Sequence, residues 1–503
     1  MKTPKHSLPH AALFLCLTAC AIGWLQPAAS AAQTSVSANQ QVGRLETSDA
    51  VSASEYTLSV KLDPPEGGSV ASSPPGIDSS EACEAAFESG SEVLLTATAK
   101  PGWKFAFWYD GNKVYSDRST TFAVSGNKTI RAAFRAQSSV ISLRAADFDS
   151  APLGTRIPLI LVHGNNNERD GKYSAWGHYA ATIKKDSSFR KKYKTYLFRW
   201  DSNSSNLLNG LTFGSRIDGR RELANKDLVI LAHSRGGLVS RYFMNHYTMN
   251  TGNRKGQPGG EKVASLVTLA TPHRGSPGAD LVWVNFSIDR YFGSEAIFMS
   301  SIYTFFVHKK NHRYLLWDDV DKELTRAKVC WDSSIYGHYI CRLLDTNASD
   351  LVELNKKEGF ADKIIAYGGN TYKSQWGIRK AIGLARKAHA NNGSAALSIA
   401  SILMAMMPII PVGYDGVPID DSYKRFTAND GLVPLTSALF LKPGCADVFT
   451  VSSSGKLIYS SQELRQFLMT GKTVVIHDRL VNHEDFLDDN NIIGRVMRRL
   501  KAL

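Results

Sequence analysis

Residues 228–239 constrain the fold of this 503-residue chain more than any other part of its sequence. An uninterrupted apolar run over residues 228–232 is typical of a strand that is buried on both faces, as in parallel sheets. Ser234 follows closely, and Gly236 and Gly237 open a helical pattern. Small residues here permit a strained backbone that neighbouring chains crowd. The segment therefore predicts a strand, a sharp turn at Ser234 and a helix that packs closely on a sheet.

Four other apolar runs have the same character and alternate with helical patterns along the chain. This alternation is the signature of a parallel α/β sheet, whose ligands lie beyond the carboxyl ends of the strands. We therefore expect the functional residues to follow these runs directly. The runs are residues 157–162, 195–198, 265–269 and 363–367.

Residues 228–239 resemble the nucleophile elbow of the α/β-hydrolases, with Ala232 standing two positions before the serine, where glycine is usual. The resemblance implies that Ser234 is the nucleophile of a bacterial lipase or serine esterase. It also implies an α/β-hydrolase fold with a mostly parallel sheet and cap or lid insertions. Because alanine is also small, the departure from the family pattern weakens the match only slightly.

A second motif of this family follows the first strand of the predicted sheet. Residues 163–165 match the His-Gly-X loop of lipases and esterases. The resemblance implies that the backbone N–H groups of Asn165 and Arg235 form the oxyanion hole, which stabilises the charge that develops on the substrate carbonyl oxygen. The His163 side chain is interpreted as a structural group that braces the loop.

Residues 427–434 resemble the turn that carries the acid in bacterial triacylglycerol lipases. The resemblance implies that Asp430 orients the imidazole of the base and stabilises its charged form. Residues 414–418 are a near copy of this turn, so Asp415 is the competing candidate.

Residues 481–486 resemble the histidine loop of the same lipases, which implies that His483 is the general base. His477 remains an alternative. His273 lies in another lipase-like segment, but the chain order in this fold is serine, then acid, then histidine. An acid between Ser234 and His273 would have almost no room, so His273 is interpreted as structural.

Residues 1–31 have the pattern of a secretory signal peptide. Two early lysines precede an apolar run over residues 11–25, and small residues suited to signal peptidase follow. Cys20 ends a lipobox-like Leu-Thr-Ala-Cys string, so its lipidation is an alternative route. Both routes predict a secreted or cell-envelope protein, with residues 32–54 as a flexible tether.

Residues 55–136 are predicted to form a small all-β module, because short β-type runs alternate with Gly and Pro turns. The aromatic stretch over residues 102–109 and the end of the module over residues 130–134 resemble the bacterial internalin B-repeat. Such repeats often carry two loop cysteines, whereas this module has only Cys83, which argues against a loop disulfide. The aromatic side chains either fill a core, which is favoured, or bind a polymer. Residues 140–503 are predicted to form the hydrolase domain.

Two stretches, residues 280–355 and 390–415, are longer than crossover helices need, which predicts a cap or lid. Residues 395–412 carry no charge and are rich in methionine. Pro408 and Pro411 interrupt this segment, which argues against a membrane span. A buried helix and a lid or acyl-binding wall both stay open.

The formal net charge of +13 is compatible with nucleic acid, with an anionic envelope or lipid surface, and with a merely soluble basic face. The basic cluster at residues 184–194 lacks the interleaved aromatic side chains that single-stranded nucleic acid requires, so that partner is excluded. An envelope or lipid surface is the expected partner, besides a lipid or ester substrate.

Six cysteines in a chain of this length exclude a fold built on a disulfide framework. Cys330 and Cys341 are close enough in sequence to bridge a loop. The cysteine spacing does not resemble a zinc site, and no cofactor is predicted. The family resemblance implies calcium as a supporting ion, for which the sequence identifies no ligands.

These motifs together predict an exported serine carboxylic-ester hydrolase of the lipase or esterase type. An extracellular polyester depolymerase acting on polyhydroxyalkanoate, with the β module holding the polymer, is the alternative within the enzyme class. A surface adhesion protein with an inactive hydrolase-like domain is the alternative outside it.

Overall fold

The chain divides into two compact units, Met1–Gln137 and Ser138–Leu503. Each unit contains a hydrophobic core of its own. The computed structural model describes residues 54–79, 83–165, 174–276, 327–333, 338–343, 349–356, 359–372, 410–411, 428–442, 445 and 448–503.

The N-terminal unit contains a five-stranded sheet in the order β3-β1-β8-β5-β6 and a three-stranded sheet in the order β2-β4-β7. Apolar and polar residues alternate in β4, so Val93, Leu95 and Ala97 point into the core. The strands are β1 (Glu55–Asp63), β2 (Gly68–Ser73), β3 (Glu84–Glu88), β4 (Glu92–Ala99), β5 (Trp103–Tyr109), β6 (Val114–Tyr115), β7 (Ser119–Ala123) and β8 (Lys128–Ala136).

The aromatic side chains of β5 belong to the interior of this unit. Trp108 is buried in the core of this unit, and Trp103 and Phe105 are partly buried against that core. Phe107 and Tyr109 are also buried. The indole N–H of Trp108 donates to a backbone carbonyl oxygen at 2.9 Å, so its polar atom is satisfied. The stretch therefore acts mainly as core, in keeping with the favoured interpretation.

The second unit is built on a seven-stranded sheet in the order β20-β16-β13-β12-β10-β11-β9. Its neighbouring strands are parallel, except that β9 pairs antiparallel with β11 at one edge. The predicted α/β class with a mostly parallel sheet is therefore confirmed. Its strands are β9 (Ser142–Ala145), β10 (Ile157–Val162), β11 (Tyr193–Arg199), β12 (Leu228–His233), β13 (Val263–Leu269), β16 (Ile364–Asn370) and β20 (Thr473–Leu480).

Helices cover this sheet. Side chains of α1, α2 and α9 share one core with the strands, and α4 contacts β10, β12 and β13. In α9, the C-terminal helix, five apolar residues are buried while the arginines are exposed to water, so this helix is amphipathic. The helices are α1 (Gly177–Lys185), α2 (Ser187–Lys192), α3 (Asn206–Asp218), α4 (Arg235–His246), α5 (Ser349–Lys356), α6 (Leu435–Ala438), α7 (Ser461–Gln466), α8 (Asp485–Asp488) and α9 (Asn490–Ala502).

Most of the predicted cap lies outside the described residues. Its described parts include a hairpin of β14 (Ala327–Ser333) and β15 (His338–Leu343), in which Cys330 stands opposite Cys341. The uncharged segment 395–412 is described only at Ile410–Pro411, which forms strand β17 beside β14 rather than helix. A further pair of short strands, β18 (Thr450–Val451) and β19 (Leu457–Ile458), follows α6.

Within the part of the chain that the structure describes, no helix combines the length and apolar character needed to cross a bilayer.

Candidate active site

The turn between β12 and α4 holds Ser234 in a conformation that residues with a side chain rarely adopt, with φ 51° and ψ −133°. Its backbone N–H donates to the Leu269 carbonyl oxygen of the neighbouring strand at 2.8 Å. Ser234 itself is partly buried, whereas His233 before it and Arg235 after it are buried. The strained turn therefore presents the serine at the carboxyl edge of the sheet.

Two glycines after the serine permit this close packing. A Cβ added to Gly236 would lie 2.3 Å from the His163 carbonyl oxygen, and one added to Gly237 would lie 2.1 Å from the Thr271 hydroxyl oxygen. Both distances are far below van der Waals contact. The first turn of α4 can therefore approach the ends of β10 and β13 only without these side chains.

Asp430 lies in a buried turn, with a side chain that is almost inaccessible to solvent. One carboxylate oxygen accepts the backbone N–H groups of Leu432 and Val433 at 2.9 and 2.7 Å. The other oxygen lies 2.9 Å from Nδ1 of His483. Backbone donors fix the carboxylate, and the carboxylate in turn orients the imidazole.

His483 lies in the loop between β20 and α8, where its backbone N–H donates to the Asp430 carbonyl oxygen at 3.0 Å. Burial lowers the pKa of this imidazole, but the Asp430 carboxylate outweighs it by charge and hydrogen bonding, so the net pKa is raised. A proton on Nδ1, facing the carboxylate, leaves the Nε2 lone pair free to accept another. This is the state that a general base requires.

The ring of His233 connects the serine turn to the histidine loop. Its Nε2 lies 3.0 Å from the His483 carbonyl oxygen, and the two ring centroids are 4.8 Å apart. Burial, followed by the neighbouring charge of His483, lowers the pKa of His233 well below its ordinary value, so the ring is neutral. Since a carbonyl oxygen only accepts, Nε2 carries the proton and donates it.

Asn165 is the third residue after the end of β10, and Arg235 is the first residue of α4. The first N–H groups of a helix point out of its N-terminus, where they favour an anion. Before Asn165, the His163 ring stacks on Trp200 at 5.0 Å, and its Nε2 accepts the Trp200 backbone N–H at 3.2 Å. The His163 side chain is thus engaged in bracing the loop.

A serine elbow at the edge of a mostly parallel sheet gives this unit the α/β-hydrolase fold, as the sequence predicted. The N-terminal unit has its own relatives. Residues 58–138 match the family model of the divergent InlB B-repeat domain, which confirms the predicted resemblance. A search of curated proteins found no match.

Solved structures similar to this chain include bacterial lipases and esterases. The mature form of Bacillus licheniformis lipase BlEst2 is 15% identical over 71% of this chain and 97% of that chain, with a TM-score of 0.39. Lipase 1 from Pelosinus fermentans is 16% identical over 69% of this chain and 99% of that chain, with a TM-score of 0.36. A thermophilic esterase from Thermogutta terrifontis is 9% identical over 72% of this chain and 94% of that chain, with a TM-score of 0.31.

The competing histidines have other surroundings. His477 is buried on β20, where its ring contacts those of Tyr367 and Phe486 at 6.0 and 5.6 Å. His273 is buried, with Nε2 3.0 Å from the Thr268 hydroxyl, and burial lowers its pKa well below its ordinary value. Asp415, the competing acid, lies outside the described residues.

Asn370, at the end of β16, joins the acid turn to the histidine loop, and the sequence analysis missed it. Its side-chain oxygen accepts the backbone N–H of Asn429 at 3.1 Å, and its carbonyl oxygen accepts that of Val481 at 2.9 Å. The available signal was its place at the carboxyl end of a buried strand, where functional residues were expected. His233 had a comparable signal, since it directly precedes the serine.

The described residues contain no cluster of three or more His, Cys, Asp or Glu side chains that could hold a metal ion. The arrangement does contain a fixed carboxylate, an oriented imidazole and a serine on a strained turn, with a helix N-terminus beside it. These groups are suited to nucleophilic attack on a carbonyl carbon.

Proposed function

We propose that this protein is an exported serine hydrolase that cleaves carboxylic esters, with Ser234 as nucleophile, His483 as general base and Asp430 as the orienting acid. The observation that carries the proposal is the 2.9 Å pair between Asp430 and His483, in a loop that His233 ties to the serine turn. A buried pair of this kind beside a strained serine has a direct use in acyl transfer.

In the proposed reaction, the Ser234 oxygen attacks the ester carbonyl carbon while Nε2 of His483 takes the hydroxyl proton. The negative charge that develops on the carbonyl oxygen is stabilised by the N–H groups of Asn165 and Arg235. The tetrahedral intermediate collapses, His483 gives its proton to the leaving alcohol, and an acyl-serine remains. Water, activated by the same imidazole, then releases the acid and restores the serine.

Replacing Ser234 tests this proposal. Ser234→Ala should lower kcat for p-nitrophenyl ester hydrolysis at least about a thousandfold, because the nucleophile is lost while the fold is retained. Ser215→Ala, an exposed serine on α3, serves as the matched control and should leave kcat unchanged. Undiminished activity in Ser234→Ala would refute the assignment.

Labelling with a fluorophosphonate separates this enzyme from an inactive adhesion protein. The probe should modify the wild-type chain at Ser234 and fail to modify Ser234→Ala, because only an activated serine reacts. Absence of labelling in the folded wild type would favour the adhesion alternative. Comparing turnover of polyhydroxybutyrate film with that of emulsified triglyceride distinguishes the two ester classes.

Export is part of the proposal. It is supported by the signal-like pattern of residues 1–31 and by the B-repeat match at residues 58–138. Cleavage near residue 31 and lipidation of Cys20 give mature chains of different mass and N-terminus. Mass spectrometry of the protein purified from its native host would distinguish them.

A further inference from the structure

We propose that the Arg235 side chain and the Asn165 carboxamide form a brace that holds the two oxyanion-hole N–H groups at a fixed separation. The proposal rests on the proposed function, because it assigns both backbone N–H groups to that hole. Arg235 would then act twice, through its backbone as a donor and through its side chain as a positioning group.

The brace is a direct side-chain contact. Nη1 of Arg235 donates to the Asn165 side-chain oxygen at 3.0 Å. Because each residue also supplies one of the two N–H groups, this bond links the two donors through a short closed path. A rotation of the Asn165 loop away from α4 would break it.

The guanidinium is itself held on several sides. Its Nε donates to the Asn206 side-chain oxygen at 2.6 Å, and Nη1 also donates to the Ser202 carbonyl oxygen at 2.6 Å. Nη2 donates to the Ser204 carbonyl oxygen. The Arg235 side chain is fully buried. Its planar fork is therefore fixed by the start of α3 and the loop before it, and acts as a rigid support for Asn165.

Trp200 connects the Arg235 guanidinium to the loop that carries Asn165. The guanidinium carbon lies 5.1 Å from the centre of the Trp200 ring. The Trp200 indole N–H donates to the His163 carbonyl oxygen at 3.0 Å, two residues before Asn165. Burial, and then the nearby cationic charges of Arg199 and Arg235, lower the pKa of His163 to about 4, despite a hydrogen bond to Gly164 that raises it. Above this pH the ring is neutral, so Nε2 remains an acceptor for the Trp200 backbone N–H.

The contact matters for rate because oxyanion donors act only from a narrow range of positions. They must lie about 2.7–3.1 Å from the developing oxyanion, and sites held within about 0.5 Å outperform looser ones. Asn165 is partly exposed in the loop after β10, and without the brace its N–H would be the more mobile of the two donors. The transition state would lose more stabilisation than the bound substrate does.

The test is a double-mutant cycle that leaves both backbone N–H groups in place. Asn165→Ala removes only the acceptor, and Arg235→Lys keeps the positive charge but loses the fork. Asn165→Ala should lower kcat for a p-nitrophenyl ester about tenfold, less than the loss of a whole donor, with KM changed less than about twofold. In the Arg235→Lys background the same substitution should cost less than about twofold, because the contact is already gone.

Controls separate positioning from loss of folding. Asn245→Ala removes an amide at the other end of α4, one that donates to the Arg241 carbonyl oxygen at 2.9 Å, and should leave kcat unchanged. The pH at which kcat/KM falls on the acid side should stay the same in Asn165→Ala, because the contact between His483 and Asp430 is intact. Urea unfolding of each variant reports any loss of stability alongside.

Wild-type kcat in Asn165→Ala, or equal losses in both backgrounds, would overturn the brace. A lower kcat that is matched by a shifted acid limb would also overturn it, since the change would then reach the base. Wild type and Ser234→Ala are assayed in the same series. If those two have equal activity, the proposed function is wrong and the brace is wrong with it. If Ser234→Ala is inactive as expected, the double-mutant cycle tests the brace separately from the proposed function.

Discussion

At the residue scale, the proposed chemistry depends on the His483 imidazole being neutral, with Nε2 unprotonated so that it can take the serine proton. Asp430 keeps the proton on Nδ1 of His483, because one of its carboxylate oxygens lies 2.9 Å from that nitrogen. The same carboxylate raises the pKa of His483, although burial acts in the opposite direction. His483 in its charged form cannot accept the serine proton, so the rate must fall as pH drops through this raised pKa.

Asp430→Asn tests both effects. The amide can keep the bonds to Leu432 and Val433, but it then presents N–H to His483 Nδ1 and favours the wrong tautomer, so kcat should fall about 10⁴-fold. The acid limb of the residual kcat/KM should move to lower pH, because the opposite charge that raises the pKa of His483 is gone. The measurement is the pH profile of ester hydrolysis. A comparable loss in Asp415→Asn, with Asp430→Asn active, would assign the acid to Asp415.

At the element scale, the strand, turn and helix from β12 to α4 act as one unit. Ser234 has a positive φ, and Gly236 lies against the His163 carbonyl oxygen, so the first turn of α4 is fitted between two neighbouring strands. Glycine is required here for space. Where no neighbouring atom is close, glycine in a helix only adds backbone freedom and weakens the helix relative to alanine.

Two Gly→Ala substitutions should therefore have opposite effects on the free energy of unfolding. Gly236→Ala should lower it by about 1–3 kcal/mol, because the added methyl meets backbone that cannot yield easily. Gly494→Ala in α9 should raise it by about 0.5–1 kcal/mol, since the nearest atom is the end of the flexible Arg498 side chain at 3.7 Å. Urea unfolding measures both. A stable, fully active Gly236→Ala variant would contradict the close packing of this turn.

At the scale of the whole molecule, the proposed chemistry is confined to one of the two units. Every residue assigned to the triad, the oxyanion hole and their supporting contacts lies in Ser138–Leu503. The N-terminal unit has its own sheets and its own core, to which Trp103, Phe105 and Trp108 of β5 contribute. We therefore expect the module to be dispensable for the proposed chemical step.

Residues 138–503 expressed alone should keep kcat/KM for a soluble p-nitrophenyl ester within about twofold of the full chain, since a domain with its own core can fold independently. Circular dichroism of the shortened protein checks that it is folded. A folded but inactive product would show that the N-terminal unit contributes to the site.

The five apolar runs that the sequence assigned to strands all lie in the seven-stranded sheet. Strands β9 and β20 were missed because both lie at edges, where a continuous apolar run is not needed. Strand β20 carries His477 within its apolar residues, and β9 is only four residues long. The cap was predicted only from the length of residues 280–355 and 390–415. The described part of these stretches includes a hairpin that no periodic pattern in the sequence predicted.

The sequence by itself determined the fold class, the serine turn and a short set of candidate acids and bases, because these depend on local features: apolar runs, small residues around Ser234 and short motifs. Only the tertiary structure showed that Asp430 pairs with His483 and that the Arg235 side chain contacts Asn165. It also showed that His477 and His273 have other contacts. These contacts join residues far apart in the chain. Their distances are set by sheet order and core packing, which no local pattern encodes.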